Sequence, residues 1–388
     1  MSESGKLQIA FFIEGMEASG VETSTRLVSQ ALVRLGHSVT VFTPWVRQDE
    51  EEGVRYFRLQ SMRMPTEQPV YWSMPVNIGV LDEFRAHHYD VVHLHTSTMV
   101  GALVWQVSKR RDLPIVYTYH TMTKDYAHYL WPFVGQDAAW LSNALEHYDR
   151  MVCNQTAAVV APSKKAANYL AELDIIPPVT VIPNGIRTDR FCPGKSDYLQ
   201  RKFGIPYDAP VLLFVGRLNV EKRPDGVYEV FRKVSEQRGD VHLVMAGVGP
   251  LGEEIREKSR QNGLESRLHF TGAVAYEVMP EVYRSATVWV STSQSEVHPM
   301  VALEAAASGL PAAVIADPAL DGVVLPGQNG VVASGTDALA EQLLLMLDDE
   351  ARMSSMADAS AEIGQRYSVD ATARRLADLY AGVVSTLA

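Results

Sequence analysis

The chain alternates short apolar runs with helical stretches, and it does so in two successive series. Most runs are rich in Val and Ile and lack the polar–apolar alternation of half-exposed strands. Both faces of such strands are expected to be covered, as in a parallel sheet between helices, so the pattern predicts doubly wound α/β domains. The runs of the first series are LQIAFFI (7–13), SVTVFT (38–43), VVHLH (91–95), PIVYTYH (114–120), AAVVAPS (157–163) and VTVIP (179–183).

A second series follows a segment rich in turn signals, PNGIRTDRFCPG (183–194), which we interpret as a hinge. We therefore predict two similar Rossmann-like domains, residues 1–184 and 195–365, and a last helix over 366–388 that packs on either domain. In open parallel sheets, ligands bind beyond the carboxyl ends of the strands, so two such domains would face a shared cleft. The strands of the second series are PVLLFVG (210–216), VHLVMAG (241–247), LHFTG (268–272), ATVWVST (286–292) and LPAAVIA (310–316).

Composition excludes several classes of protein. The chain has 388 residues, enough for two domains, and its formal net charge of -11 argues against broad binding to nucleic acid. Cys153 and Cys192 make neither a disulfide framework nor a zinc motif. The first apolar run is too short for a signal peptide, and no run is long enough to span a bilayer, so a cytoplasmic protein is expected. Nothing in the sequence indicates an obligate protein partner.

Two loops of the second domain carry the residues that suit a sugar nucleotide. In VGRLNVEKRP (215–224), Arg217 and Lys222 follow a strand and suit a diphosphate; the alternative is a solvated basic loop. In SEVHPMVALEAAASGLP (295–311), Glu296 and Glu304 lie around a helix start. Acids there suit sugar hydroxyls, and the helix amides suit phosphate, but acids also favour first turns for simple dipole reasons.

Two loops of the first domain are further candidates for functional residues, and the first of them could cover a phosphate or the reacting sugar. IEGMEASGVETS (13–24) contains Gly20 just before a helix and allows close backbone approach, although a plain flexible turn would look much the same. YTYHTMTKDYAHY (117–129) places His120 at the end of a strand. A lone His is more often structural, but this position favours a functional side chain, and Asp125, Tyr126 and His128 follow closely.

GVGPLG (247–252) has the spacing of a dinucleotide-binding loop and keeps an oxidoreductase open as an alternative. Pro250 stiffens this loop, and the next strand ends without the acid that would hold a ribose. A tight strand-to-helix turn is the better interpretation. No strand carries an Asp-x-Asp pair for a metal, and there is no P-loop, H-E-x-x-H or G-x-S-x-G motif.

These motifs, taken in order, resemble the retaining glycosyltransferases of the GT-B fold, family 4. The resemblance covers almost the whole chain, and its most specific parts are the Arg/Lys pair and the two glutamates followed by SGLP. The family includes phosphatidylinositol mannosyltransferases and diacylglycerol glucosyltransferases, and YHTMTKDYAHYL is most similar to the latter branch. The resemblance implies two Rossmann-like domains that face a cleft, with the last helix crossing back to the first domain.

The resemblance also implies roles for particular residues. Arg217 and Lys222 would hold the donor diphosphate, Glu296 the sugar hydroxyls and Glu304 the ribose. His120 would contact the transferred sugar near the reacting carbon. Together with Glu296, Arg217 and Lys222, His120 makes up the predicted catalytic set. The predicted donor-binding set is Gly20, Arg217, Lys222, Glu296, His298, Met300, Val301 and Glu304, and the predicted acceptor-binding set is Asp125, Tyr126 and His128.

The implied activity is retaining transfer of a hexose, glucose from UDP-glucose, to 1,2-diacylglycerol in glycolipid synthesis. Neither a cofactor nor a metal is expected, and the protein would act in the cytoplasm, at the inner membrane face. Alternatives are a polar acceptor (a sugar, inositol phosphate or glycan) and a non-catalytic sugar-nucleotide-binding protein. Many family members have Gly at the positions of Val297 and Pro299, and this departure leaves the donor sugar open.

Overall fold

The computed structural model describes residues 5–16, 19–45, 50–64, 70–123 and 139–387. The chain divides into two units, which are described separately below. Residues 1–185 form the first unit together with the C-terminal residues 369–388, and residues 186–368 form the second unit.

The strands of the first unit form two sheets within the part of the chain that the structure describes. The larger sheet has eight strands in the order β11-β10-β9-β8-β1-β3-β5-β4, all parallel except for the β4–β5 pair. The smaller sheet is antiparallel, in the order β2-β7-β6. The strands are β1 (Gln8–Phe12), β2 (Gly15–Met16), β3 (Ser38–Thr43), β4 (Glu50–Glu51), β5 (Val54–Arg58), β6 (Ser61–Met64), β7 (Val70–Ser73), β8 (Val91–Leu94), β9 (Ile115–Thr118), β10 (Ala158–Ala161) and β11 (Val179–Val181).

Helices cover this parallel sheet, and the central strands β1, β8, β9 and β10 are buried almost throughout. The C-terminal helix packs against α1, the helix that follows the β1 loop. The last helix is therefore part of the first unit, although it follows the second unit in the chain. The helices are α1 (Gly20–Arg34), α2 (Ile78–Ala86), α3 (Met99–Arg111), α4 (Ala139–Cys153), α5 (Lys164–Glu172) and the C-terminal α13 (Val369–Leu387).

The second unit is a six-stranded parallel sheet in the order β14-β13-β12-β15-β16-β17. Its strands are β12 (Val211–Val215), β13 (His242–Ala246), β14 (Leu268–Gly272), β15 (Val288–Ser291), β16 (Ala312–Ile315) and β17 (Gly330–Ala333). Its helices are α6 (Tyr198–Phe203), α7 (Pro224–Gln237), α8 (Leu251–Gln261), α9 (Met279–Arg284), α10 (Met300–Ala307), α11 (Thr336–Leu347) and α12 (Glu350–Gln365).

The core of the second unit lies where α7 and α11 pack together beside the sheet. Apolar residues of α7 recur at helical spacing, and Val227, Phe231 and Val234 are all buried. On the α10 side, α12 comes so close that a Cβ added at Gly364 would overlap the backbone of Ala307. This contact fixes α10, which carries Glu304.

The prediction of two parallel-sheet α/β domains is confirmed. The sequence did not indicate β2, β4 to β7 or β17. All six strands are short, and β17 follows a turn-rich segment. The apolar sequence pattern of these strands is weak, because each lies towards an edge of its sheet or in the small sheet.

Candidate functional site

The loop after β12 carries the two predicted cations of the second unit. It leads into a short 3₁₀ helix, Val220–Lys222, and Arg223 then takes a left-handed backbone (φ 48°) before Pro224 opens α7. Proline suits a first helical position because its fixed φ matches the helix. An N–H at this position would have no acceptor in the helix, so its absence in proline loses no hydrogen bond. The turn therefore places Arg217 and Lys222 beyond the carboxyl end of β12.

The GVGPLG segment supports this loop from the neighbouring strand β13. Leu218 donates its amide to Val248 O (2.9 Å) and accepts from Leu251 N (3.0 Å). Gly247 has φ 151°, and a Cβ added there would overlap the carbonyl oxygen of Gly216. Gly247 and Gly249 are required for close backbone packing, and α8 begins at Leu251, after Pro250, as the tight-turn interpretation predicted.

The loop after β15 is tied to the same 3₁₀ helix. Ser293 Oγ and Ser295 Oγ both donate to the carbonyl of Glu221, at 3.3 and 2.9 Å. Thr292 Oγ1 donates to Arg223 O at 2.6 Å. Because β12 lies between β13 and β15, the loops after these three strands meet at one edge of the sheet. The predicted basic loop and the first predicted glutamate are thereby joined.

Lys222 and Glu296 form an ion pair at this edge. Lys222 Nζ donates to Glu296 Oε1 at 2.6 Å, and both side chains are largely buried. Arg217 Nη2 lies 3.1 Å from Glu221 Oε1, a carboxylate that is almost fully buried. Two cations and two acids therefore line the loops after β12 and β15, where hydroxyl and phosphate groups could both be held.

Glu304 lies in the middle of α10 and is buried. Tyr283 on α9 donates its hydroxyl to Glu304 Oε2 at 2.9 Å. Burial raises the pKa of the Glu304 carboxyl to about 8, against which the Tyr283 hydrogen bond acts. A carboxyl in this setting holds a proton at neutral pH, and hydroxyl donors from a ligand would favour its ionised form.

The start of α10 brings together the other predicted donor residues. Pro299 is the N-cap residue, and Ala302 N donates to its carbonyl at 3.1 Å. Met300 and Val301 open the helix, where amides have no intrahelical acceptor. His298 is buried against Tyr367, and burial lowers the pKa of its imidazole to about 4, so the ring is neutral at neutral pH.

Three polar residues that the sequence did not indicate support this site. Glu221 pairs with Arg217, and Tyr283 bonds Glu304. Asp317 follows β16, accepts from Glu296 N at 3.4 Å and caps the 3₁₀ helix Pro318–Leu320 through Ala319 N at 2.9 Å. Asp317 could have been found as a polar residue just after a predicted strand, whereas Tyr283 lies in a short helix without a sequence signal.

In the first unit, Gly20 is the first residue of α1. Ser19 caps the helix by accepting from Glu22 N at 3.2 Å, the serine half of a capping box. Upstream in the same loop, the buried Glu14 carboxylate accepts from Val100 N (2.7 Å) and Ser73 N (2.5 Å). The β1 loop is therefore anchored by Glu14, which the sequence did not single out.

His120 follows β9 and is partly exposed. Its Nε2 lies 3.0 Å from Nδ1 of His95, a buried residue that follows the adjacent strand β8. Burial lowers the pKa of His120 to about 3, so the imidazole is neutral at neutral pH. The predicted acceptor-binding residues Asp125, Tyr126 and His128 lie outside the described residues.

The described residues offer neither a cluster of metal ligands nor a membrane-spanning helix. Among these residues, no group of three or more His, Cys, Asp or Glu side chains is placed to hold a metal ion. No described helix has the length and apolar character needed to span a membrane.

Two family descriptions match the chain, one for each series of strands. Residues 18–190 match Glycosyltransferase Family 4, and residues 196–363 match Glycosyl transferases group 1. A similar protein is the D-inositol 3-phosphate glycosyltransferase of Xylanimonas cellulosilytica, 30% identical over 94% of this chain and 92% of that protein. Another is the alpha-monoglucosyldiacylglycerol synthase of Streptococcus pneumoniae, 26% identical over 84% of this chain and 75% of that protein.

Solved structures show the same fold. The sucrose-phosphate synthase of Thermosynechococcus elongatus has a TM-score of 0.80 at 22% identity and covers 98% of this chain and 100% of its own. HepE of Anabaena, solved in complex with UDP-glucose, has a TM-score of 0.78 at 18% identity over 97% of this chain and 100% of its own. The chain is therefore a glycosyltransferase of GT-B fold and belongs to the family 4 glycosyltransferases, with a group 1 second domain.

Proposed function

We propose that the protein moves glucose from UDP-glucose to the free hydroxyl of 1,2-diacylglycerol, with retention of the anomeric configuration. The observation that carries the donor half is the pair of Lys222 and Glu296, 2.6 Å apart, beside Arg217 at the carboxyl edge of the second sheet. A sugar diphosphate needs cations for its phosphates and acceptors for its hydroxyls, and this edge offers both. HepE of the same fold was solved with UDP-glucose.

Under this proposal, the bond between the anomeric carbon and the donor phosphate oxygen breaks as the acceptor hydroxyl approaches the same face of the sugar. The acceptor oxygen forms the new bond, and its proton passes to the departing phosphate oxygen. Negative charge grows on the diphosphate, where Arg217 and Lys222 stabilise it. Glu296 holds sugar hydroxyls and stabilises the positive charge of the ring. Because two side chains supply the cationic charge, we propose that turnover needs no divalent metal.

Two features support a lipid acceptor. Relatives from Streptococcus pneumoniae and Acholeplasma laidlawii are both named alpha-monoglucosyldiacylglycerol synthase. The first unit also exposes a group of apolar side chains around its small sheet. Such exposed apolar groups are uncommon on the surfaces of soluble monomeric proteins. The exposed apolar residues of this region are Met62, Met74, Val76, Ile78 and Trp105. We propose that this region contacts the inner face of the cytoplasmic membrane.

A polar acceptor is the second candidate, because the relative at 30% identity is named for D-inositol 3-phosphate. A grid of donors and acceptors decides between the two: UDP-, GDP- and ADP-sugars against diacylglycerol in vesicles and inositol phosphate in solution. We expect UDP-glucose with diacylglycerol to give an α-linked product by NMR, with full turnover in EDTA. Turnover with inositol phosphate alone, together with no flotation on any vesicle mixture, would remove the lipid acceptor.

A further inference from the structure

Three histidines stand side by side at the carboxyl edge of the first sheet. His93 lies on β8, His95 follows that strand, and His120 follows the adjacent β9. The rings of His93 and His95 are stacked with centroids 4.2 Å apart, and those of His95 and His120 are stacked at 5.3 Å. The only one of the three that the sequence singled out is His120.

The inner part of this stack is held rigidly. His93 is fully buried and is bonded at both nitrogens, Nδ1 to the hydroxyl of Tyr380 (2.5 Å) and Nε2 to Thr118 Oγ1 (2.7 Å). Tyr380 belongs to α13, so the C-terminal helix supports the stack from behind. Phe11 packs on both inner rings, at 5.1 Å from His93 and 4.7 Å from His95. His95 therefore has little freedom to rotate.

A hydrogen bond joins His95 Nδ1 and His120 Nε2, which are 3.0 Å apart, and either ring could supply its one proton. Burial lowers the pKa of His120 to about 3 and that of His95 well below its ordinary value, so both rings are neutral at neutral pH. A neutral imidazole has one donor nitrogen and one acceptor nitrogen. Whichever ring donates in this bond, the tautomers of both are fixed together.

The buried nitrogen on the far side of His95 decides which ring donates. His95 Nε2 has no hydrogen-bond partner among the described residues. If His95 accepted from His120, its own proton would have to sit on this Nε2 as a buried, orphaned N–H, which proteins rarely tolerate. If His95 donates from Nδ1, the Nε2 position is an unprotonated ring nitrogen. His120 Nε2 is then the acceptor, and His120 Nδ1 carries the hydrogen.

We propose that His95 is a positioning residue that fixes His120 in the Nδ1–H tautomer, so that His120 offers a neutral N–H donor to an oxygen of the sugar substrate. This inference rests on the proposed function only in naming the sugar as the group that His120 meets. A neutral donor suits a sugar that develops positive charge, because an imidazolium at the same place would repel it. His120 is then a donor rather than a general base.

The test compares two amides at position 95. The side-chain nitrogen of Asn reaches about where Nδ1 of His lies, whereas that of Gln reaches the Nε2 position. We expect His95→Asn to keep turnover within about threefold, whereas His95→Gln and His95→Leu lower kcat roughly tenfold or more, because His120 loses its orientation. UDP affinity, measured by calorimetry, should stay unchanged in all three, since the proposed nucleotide residues lie in the second unit.

Ring-nitrogen NMR of labelled protein gives a readout that does not depend on turnover. His120 should carry its proton on Nδ1 in the wild type and in His95→Asn, and should shift towards the Nε2–H form in His95→Gln. The matched control is His242→Gln, which breaks a second His–His bond of the same length, His242 Nδ1 to His269 Nε2 at 3.0 Å, in the other unit. This control should leave the His120 tautomer unchanged.

Two outcomes would overturn the inference. One is an Nε2–H tautomer of His120 in the wild type, and the other is a His95→Asn variant as impaired as His95→Gln. Failure of the proposed function looks different: no UDP-sugar would bind or be turned over, while the His120 tautomer would remain as described.

Discussion

Glu304 is a buried acid that accepts a hydrogen bond from the hydroxyl of Tyr283. Burial raises the pKa of its carboxyl to about 8 from an ordinary value of 4.5. Between these two pH values the folded protein holds a proton that the unfolded chain has released. The free energy of unfolding therefore falls as pH rises through this window, and the contribution of Glu304 is most favourable below the unfolded pKa.

Glu304→Gln removes this titration while keeping the shape of the side chain. We expect the variant to gain thermal stability relative to the wild type as pH rises from 5 to 8, with little difference at pH 5. Melting curves across this range measure the effect. If the difference in melting temperature between the wild type and the variant does not change with pH, Glu304 is not buried in its protonated state.

Nucleotide binding should release a proton from the same group. If ribose hydroxyls donate to Glu304, they favour the carboxylate and lower its pKa, so affinity for UDP should rise with pH. Calorimetry in buffers of different ionisation enthalpy counts the protons released. The release should be absent in Glu304→Gln, and equal release by both proteins would show that the ribose is held elsewhere.

Among the proposed site residues, Lys222 is the one whose removal should lower turnover most. It neutralises Glu296 and is proposed to bind the diphosphate. Lys222→Ala should lower kcat by about 10²-fold, as the removal of a charge-stabilising donor commonly does. Lys233→Ala is the matched control, since Lys233 pairs with the exposed Asp337 in the same unit. A normal kcat in Lys222→Ala, measured with saturating donor, would show that the phosphate lies elsewhere.

The position of the basic β12 loop depends on its packing against the neighbouring β13 loop. The β13 loop supports the β12 loop through Gly247, where any side chain would meet the Gly216 carbonyl. Gly247→Ala should therefore displace Arg217, lower UDP affinity and cost about 1–3 kcal/mol of stability. Gly239→Ala is the control, because a Cβ at Gly239 meets nothing within 4 Å. Equal affinity of the two variants for UDP would show that the GVGPLG segment does not support the nucleotide site.

The C-terminal helix joins two distant parts of the sequence into one unit. α13 packs on α1 and buries Ala373, Leu376 and Tyr380. A chain that ends before Val369 should lose protection in the first sheet, because apolar surface is exposed and His93 loses its Tyr380 partner.

Hydrogen exchange measures this prediction strand by strand. Exchange should rise in β1 and β8, whereas β12 to β17 and UDP affinity should stay as in the full chain. Tyr380→Phe is the milder control, since it removes the hydroxyl alone and should cost about 1 kcal/mol. Equal loss of protection in both sheets would show that the helix stabilises more than the first unit.

The sequence by itself determined most strands of the two parallel sheets, the two α/β units and the positions of Arg217, Lys222, Glu296, Glu304 and His120. Apolar runs and the residues that directly follow them are local signals, and a parallel sheet places such residues at one edge. The tertiary structure alone decided which of them touch. Lys222 meets Glu296 across 74 positions because β12 pairs with β15, and no local pattern encodes that strand order.

The same reason explains the partners that the sequence did not reveal. Tyr283 and His95 were not singled out, since each is bonded to a side chain that arrives from another helix or strand. Glu221 pairs with Arg217 within one loop, and their spacing alone does not show that they meet. The placement of α13 on the first unit is likewise a matter of long-range packing, because an amphipathic helix fits any apolar face of suitable shape. Local sequence patterns therefore predicted the positions of the functional residues along the chain. Only the packing of strands and helices decided which other residues contact and orient them.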